Sequence, residues 1–316
     1  MKTPILKLLK FHLFVAYIFS ISCALGQEVG VKKESGKIFL TGKSCALLMK
    51  QANAIHRWKN PSLKNLNPNI CSCSENCSIN VTQIVPQIVQ EKQEVCSLSD
   101  GPNCWNSSLV TSGILPNLRY STGPEMKFWM ESPLCRERSP NEEIEPGDVV
   151  AIRDSSGDEV HGFIHITEEL SFSKNGYSKN AKYSLQSPSG VFEVYGVEAK
   201  CRREFKKPSS EKACALYANY FKCEPIDEYL KANPIKNSEQ LDTWKALDSF
   251  ECEISGIALS NFFKKDQVEL FKLSISSIQS LAAEKVKSNN ISQHEIFIWK
   301  GIQVKTQSLI EQIELL

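Results

Sequence analysis

The sequence has almost no excess of charge. Its 37 Lys and Arg stand against 36 Asp and Glu, a formal net charge of +1. That balance gives no general attraction to nucleic acid or to acidic lipid, and neither is expected as a partner. Apolar runs are scarce too: beyond residue 24 no segment is apolar enough to cross a bilayer. There is no internal repeat and no low-complexity segment, and no cysteine follows Cys252. Histidine is rare, with five in 316 residues. Cys71, Cys73 and Cys77 have no histidine nearby and no second cysteine pair at zinc-site spacing, which favours disulfides over a metal. No cofactor is expected.

What is present begins with an export pattern. Lys2, Lys7 and Lys10 precede an apolar stretch from Leu13 to Ala24, and Ala24-Leu25-Gly26 supplies the small residues of a cleavage site. Residues 1–26 therefore read as a signal peptide with Gln27 as the mature start, giving a periplasmic or secreted protein. In the alternative lipoprotein reading Cys23 carries the lipid, although Ser20 stands where an aliphatic residue is expected. Twelve cysteines in an exported chain point to disulfides. Without Cys23 eleven remain. Ten can pair (Cys45, Cys71, Cys73, Cys77, Cys96, Cys135, Cys201, Cys214, Cys223 and Cys252), which leaves Cys104 as the free thiol.

Three regions follow the signal. Residues 27–99 are cysteine-rich, with a short strand at Lys37-Leu40, a helix from Ser44 to Trp58 and a stapled loop from Asn60 to Asn80. Residues 100–198 alternate turn signals with strand candidates at 148–152, 161–167, 170–174, 182–186 and 191–197. Residues 199–316 read as helical, with short helices at 213–221 and 226–232 and long ones at 267–286 and 293–316. The fold class is α+β.

Chemistry concentrates around Cys104. The turn Asp100-Gly101-Pro102 leads into a helix with Cys104 in its first turn, where the partial positive charge of the helix favours thiolate. Among the histidines, His161 begins a strand just after the Gly157-Asp158 turn, where its side chain can face a cleft. His165 lies four residues on, along the same face. Pairing the two strands around a turn at Glu168-Glu169 sets His161 across from Gly176, with Asn175 beside it to orient the ring. Cys104, His161 and Asn175 are the catalytic candidates.

At this point the chain resembles the NlpC-type cell-wall peptidases over residues 100–197. Asn103-Cys104-Trp105-Asn106 through Ser112-Gly113-Ile114-Leu115-Pro116-Asn117-Leu118-Arg119 is similar to their nucleophile helix and following turn. Glu145-Pro146-Gly147-Asp148-Val149-Val150 matches their Pro-Gly-Asp strand entry, and His161-Gly162-Phe163-Ile164 occupies the place of their His-Val-Gly-Ile. The resemblance implies a papain-like domain, with the nucleophile helix packed on a small antiparallel sheet, and a cysteine hydrolase acting on peptidoglycan or peptide through an acyl-enzyme. A non-catalytic envelope binding or structural module and an acyltransferase are the alternatives on the same scaffold. The family usually has Asp before the nucleophile and Ser-Gly after it. Here Asn103, Trp105 and Asn106 stand there, and His-Val-Gly has become His161-Gly162-Phe163.

Overall fold

Short strands with buried faces make two antiparallel sheets, and helices close over them. The computed structural model describes residues 29–58, 60, 62–97, 100–260, 265–288 and 290–315. The expected signal peptide and Cys23 lie outside the described residues. In chain order the elements are β1 (Val29–Glu34), β2 (Lys37–Gly42), α1 (Cys45–Arg57), β3 (Cys71–Cys73), β4 (Cys77–Asn80), α2 (Gln87–Lys92), α3 (Cys104–Thr111), α4 (Gly123–Met130), β5 (Cys135–Glu137), β6 (Val149–Asp154), β7 (Glu159–His165), β8 (Ser171–Lys174), β9 (Tyr183–Gln186), α5 (Pro188–Tyr195), β10 (Leu216–Cys223), α6 (Ile226–Ala232), α7 (Ser238–Ser260), α8 (Lys265–Val286) and α9 (Gln293–Glu314). Among the described residues no helix is long and apolar enough to cross a membrane.

The first sheet has the order β1-β2-β4-β3. Leu48, Ala52 and Ile55 recur at three-to-four spacing along α1 and bury with Ile38, Leu40 and Ile79 of the sheet. The expected Asn60–Asn80 loop ends in the β3–β4 hairpin, stapled by Cys73–Cys77 and tied to α1 by Cys45–Cys71. The second sheet has the order β5-β10-β6-β7-β8-β9. Val149, Ala151 and Ile164 on one face join the main core, against α3 and α4. Val150, Ile152 and Phe163 on the other face join a second cluster with Val191 and Phe192 of α5. Each side chain takes its face from the two-residue period of the strand.

Two expected elements change type. Residues 191–197 fold as part of α5, because Pro188 occupies its first turn and Gly196, at φ 70°, provides the left-handed residue that ends it. Residues 213–221 fold largely as β10. This strand is buried on both faces between β5 and β6, so its apolar run carries no alternation to separate it from a helix. Cys214 and Cys223, just before and at the end of β10, are bonded to Cys201 and Cys135. A boundary at 198/199 therefore cuts through the six-stranded sheet. Cysteine pairing also differs from the expected ten: eight are bonded, while Cys96 and Cys252 join Cys104 as free thiols.

The C-terminal helices are locked to the sheet region by buried charge. Arg119 donates from both terminal nitrogens to Glu125 on α4, at 2.8 and 2.6 Å, and from Nε to Glu251 on α7 at 2.9 Å. Glu251 in turn lies 3.0 Å from Lys305 Nζ on α9, which also donates to Asp248 at 2.6 Å. The side chains of Arg119, Glu125 and Glu251 are fully buried. Burial alone would raise the Glu251 carboxyl, but Arg119 and Lys305 hold it below its ordinary range. Removing one member strands the remaining charges in the core, which costs about 3–5 kcal/mol. Glu251→Ala should therefore lower the urea midpoint by the equivalent of that loss, as measured by equilibrium unfolding. A change under about 1 kcal/mol, the range of exposed pairs, would show that the network does not hold the helices.

Candidate active site

Asn103 starts α3 as its N-cap. Its Oδ1 accepts the Asn106 N–H at 3.0 Å while its Nδ2 donates to the Ser121 carbonyl at 2.6 Å. Asn106, fully buried, accepts the Arg119 N–H at 2.9 Å and donates to the Ser121 hydroxyl and the Asn117 carbonyl, both at 3.3 Å. Asn103 and Asn106 thus tie α3 to the turn carrying Arg119. Asn106 is also in an Asn-x-Ser sequon, and its burial leaves no room for a glycan.

Cys104 is unbridged and only 7% exposed. Burial pushes its thiol up to about 11. The backbone N–H groups of Gly162, Trp105 and Cys104 itself, and the Lys174 charge, offset only part of that. At neutral pH burial therefore favours the protonated thiol. α3 lies against β7 at Gly162: a Cβ there would meet Met126 Cε at 3.1 Å, Ser108 Oγ at 3.2 Å and Trp105 Cδ1 at 3.6 Å. A larger residue would have to push these side chains aside.

His161 is the preceding residue, and strand alternation turns it to the other face of the sheet, with Phe163. Its fully buried ring stacks on Tyr195 at 4.1 Å between centroids and 22° between planes. Neither ring nitrogen has a hydrogen-bond partner among the described residues. Burial lowers its pKa to about 3, so the ring is neutral. The family's His-Val-Gly spacing places its histidine and glycine on one face; adjacency in His161-Gly162 places them on opposite faces. His165, also buried, packs edge-on to Tyr220 at 6.0 Å.

Asn175 does not reach His161. Its Oδ1 accepts from Ser173 Oγ at 3.2 Å, and its Nδ2 donates to Gln186 Oε1 at 3.3 Å. The β7–β8 register is also one residue from the expected one, with Ile164 opposite Phe172 and His165 opposite Ser171, and pairing stops there. Cys104, His161 and Asn175 therefore form no hydrogen-bonded triad.

One polar side chain that the sequence did not single out does sit by Cys104. Lys174 is buried on β8, two residues from Phe172 and so on the same, α3-facing side. Burial lowers its pKa to about 8, against the opposing influence of Cys104, Asp100 and Cys96. It donates to the Gly176 and Ser178 carbonyls, both at 2.9 Å, which fixes the loop whose Tyr177 carbonyl accepts the Gly101 N–H. No sequence signal distinguishes this lysine from an exposed strand-end residue.

Comparison with protein-family models, with curated proteins and with solved structures finds no match to any of them.

The buried, unpartnered imidazole gives a pH signature. Its folded-state pKa of about 3 lies below the unfolded 6.5. The stabilisation this gives is complete above pH 6.5 and is lost as pH falls through 6.5 towards 3, because the unfolded chain takes up a proton that the native one does not. His161→Phe keeps the stack on Tyr195 and removes the titration. Its stability should equal or exceed that of the parent at pH 7.5. Between pH 6.5 and 4 the variant should gain on the parent by up to about 1.4 kcal/mol per pH unit, read from urea midpoints. Parallel pH profiles would contradict the burial of a neutral ring.

Proposed function

We propose that this chain is a non-hydrolytic, extracytoplasmic binding or structural module built on a papain-like arrangement of helix and sheet. The observation that carries this reading is that Cys104 and His161 share no hydrogen bond: neither ring nitrogen of His161 has a partner among the described residues. Cys104 is a buried thiol beside the Gly162 backbone, while the His161 ring stacks on Tyr195. A cysteine hydrolase needs the imidazole to take the thiol proton and return it to the leaving amine. An imidazole with a pKa of about 3 is a poor acceptor at neutral pH, and a thiol near 11 is a poor donor. The α3–β7 contact and the antiparallel sheet are what support the scaffold half of the proposal. Four disulfides support an oxidising compartment.

The peptide or peptidoglycan class implied by the resemblance becomes, in this reading, a ligand class. Binding of soluble peptidoglycan fragments to the full chain, measured by calorimetry, should be unaffected by Cys104→Ala or by His161→Phe, and the fragments should come back uncleaved. Iodoacetamide should modify Cys104 in the native protein at least about 100-fold more slowly than in urea, because reaction requires opening of the site. Rapid native labelling, together with fragment cleavage that Cys104→Ala reduces about 10³-fold or more, would overturn the proposal in favour of a cysteine hydrolase.

A further inference from the structure

We propose that Cys45, Cys71, Cys73 and Cys77 form a thiol–disulfide exchange site, in which the exposed Cys73–Cys77 bridge reacts with an external dithiol and Cys73 then transfers onto Cys45. Cys71 and Cys73 stand two residues apart on β3 and so share a face. Cys77 is directly opposite Cys73 in the hairpin, and Cys45 opens α1 beside them. The bonded pairs are Cys45–Cys71 and Cys73–Cys77. The sulfur of Cys73 also lies 3.2 Å from that of Cys45, to which it is not bonded. The sulfurs of Cys45, Cys71 and Cys73 all fall within 4.8 Å of one another. The bridges Cys135–Cys223 and Cys201–Cys214 have no third sulfur in such contact among the described residues.

Exposure sets the direction of entry. Cys73 is exposed and Cys77 only 6% exposed, so an incoming thiolate reaches the Cys73 sulfur and displaces Cys77. The second thiol of the dithiol then attacks its own mixed disulfide. This oxidises the dithiol to a disulfide and frees Cys73 as thiolate, with Cys77 taking a proton. Cys73 is now in contact with Cys45. Its attack forms Cys45–Cys73, breaks Cys45–Cys71 and expels Cys71 as the thiolate, which is then protonated. Two electrons have entered, and one disulfide remains in place of two. During transfer the negative charge is carried mainly by the attacking Cys73 and leaving Cys71 sulfurs, on either side of Cys45 in the first turn of a 13-residue helix that has no acidic residue there. The partial positive charge of that helix end favours it.

The test uses the full chain in native buffer with substoichiometric reduced dithiothreitol as the dithiol, acid quenching, alkylation and peptide mapping by mass spectrometry. The Cys73–Cys77 bridge should open first. A species with Cys45 bonded to Cys73, and with Cys71 and Cys77 alkylated, should follow while the two distant bridges stay intact. Separately, Cys77→Ser leaves Cys73 a free thiol without any reductant. At least about one molecule in ten should then carry Cys45–Cys73, since two comparable bridges in exchange differ by only about tenfold per 30 mV. If Cys77→Ser fails to fold, the partial reduction of the parent decides alone. The proposal is overturned if Cys73 and Cys77 are alkylated while Cys45–Cys71 persists, or if Cys73 is free in every molecule of the folded Cys77→Ser variant.

Discussion

The guanidinium of Arg119 is the fixed point from which the rest of the molecule is hung. It sits at the end of the turn after α3, and Asn106 binds its backbone N–H from within that helix. Its side chain fastens α4 through Glu125 and α7 through Glu251, and Glu251 passes the connection to α9 through Lys305. Three buried charges in a row are costly in isolation, because each gives up its hydration. They are tolerable because the fork of Arg119 meets two carboxylates whose remaining needs are largely met by neighbours. The arrangement also dictates orientation: a planar fork accepts only narrow approach angles. Helices α4, α7 and α9 are thereby held against the same turn that positions Cys104.

Given that frame, the fate of Cys104 follows from the adjacent strand. α3 packs against β7 at Gly162, where a Cβ would press on Met126, Ser108 and Trp105. Once Gly162 faces the helix, its neighbour must face away, and its neighbour is His161. Adjacency of His161 and Gly162 therefore turns the imidazole away from α3. Beside the thiol are backbone N–H groups, and the buried amine of Lys174 acts on it only through its charge, being engaged with two carbonyls. Those groups lower the thiol pKa, but burial outweighs them. The result is a packed, buried cysteine at the start of α3.

This arrangement also explains what could be read from the sequence. Helices α1, α6, α8 and α9 were legible because amphipathic spacing or capping sequence agreed with the packing, and β6 to β9 because strong turns bounded them. β10 was not legible. Buried on both faces, it shows apolar residues without a period, and only long-range pairing makes it a strand. The segment of α5 reads as β-rich from Val191, Phe192 and Val194, and is overruled by Pro188 and Gly196 at its ends. At the site, the helix and its cysteine were legible from local sequence. The geometry between Cys104 and His161 was not, because it depends on which face of β7 meets α3. Strand phase relative to another element is a tertiary property, set here by one glycine contact. Asn175 failed for a related reason: strand pairing ends at Ile164 and Phe172, short of His161, and Asn175 bonds to Ser173 and Gln186 instead.

Covalent and ionic cross-links divide the chain between them. The first sheet and its helix span only about fifty residues, too few to bury a large core, and two disulfides lie within them. The remaining bridges flank β10, the strand whose propensity is least decisive. Beyond Cys223 no bridge is recorded among the described residues, and there the buried charges take over, from Glu251 to Lys305. The two devices differ in what disturbs them. Disulfides answer to redox state and are indifferent to pH over the ordinary range, whereas the ionic network answers to protonation and to the loss of any partner. A change in thiol chemistry thus acts on the first sheet and on the flanks of β10, whereas the ties from Arg119 to α4, α7 and α9 contain no disulfide.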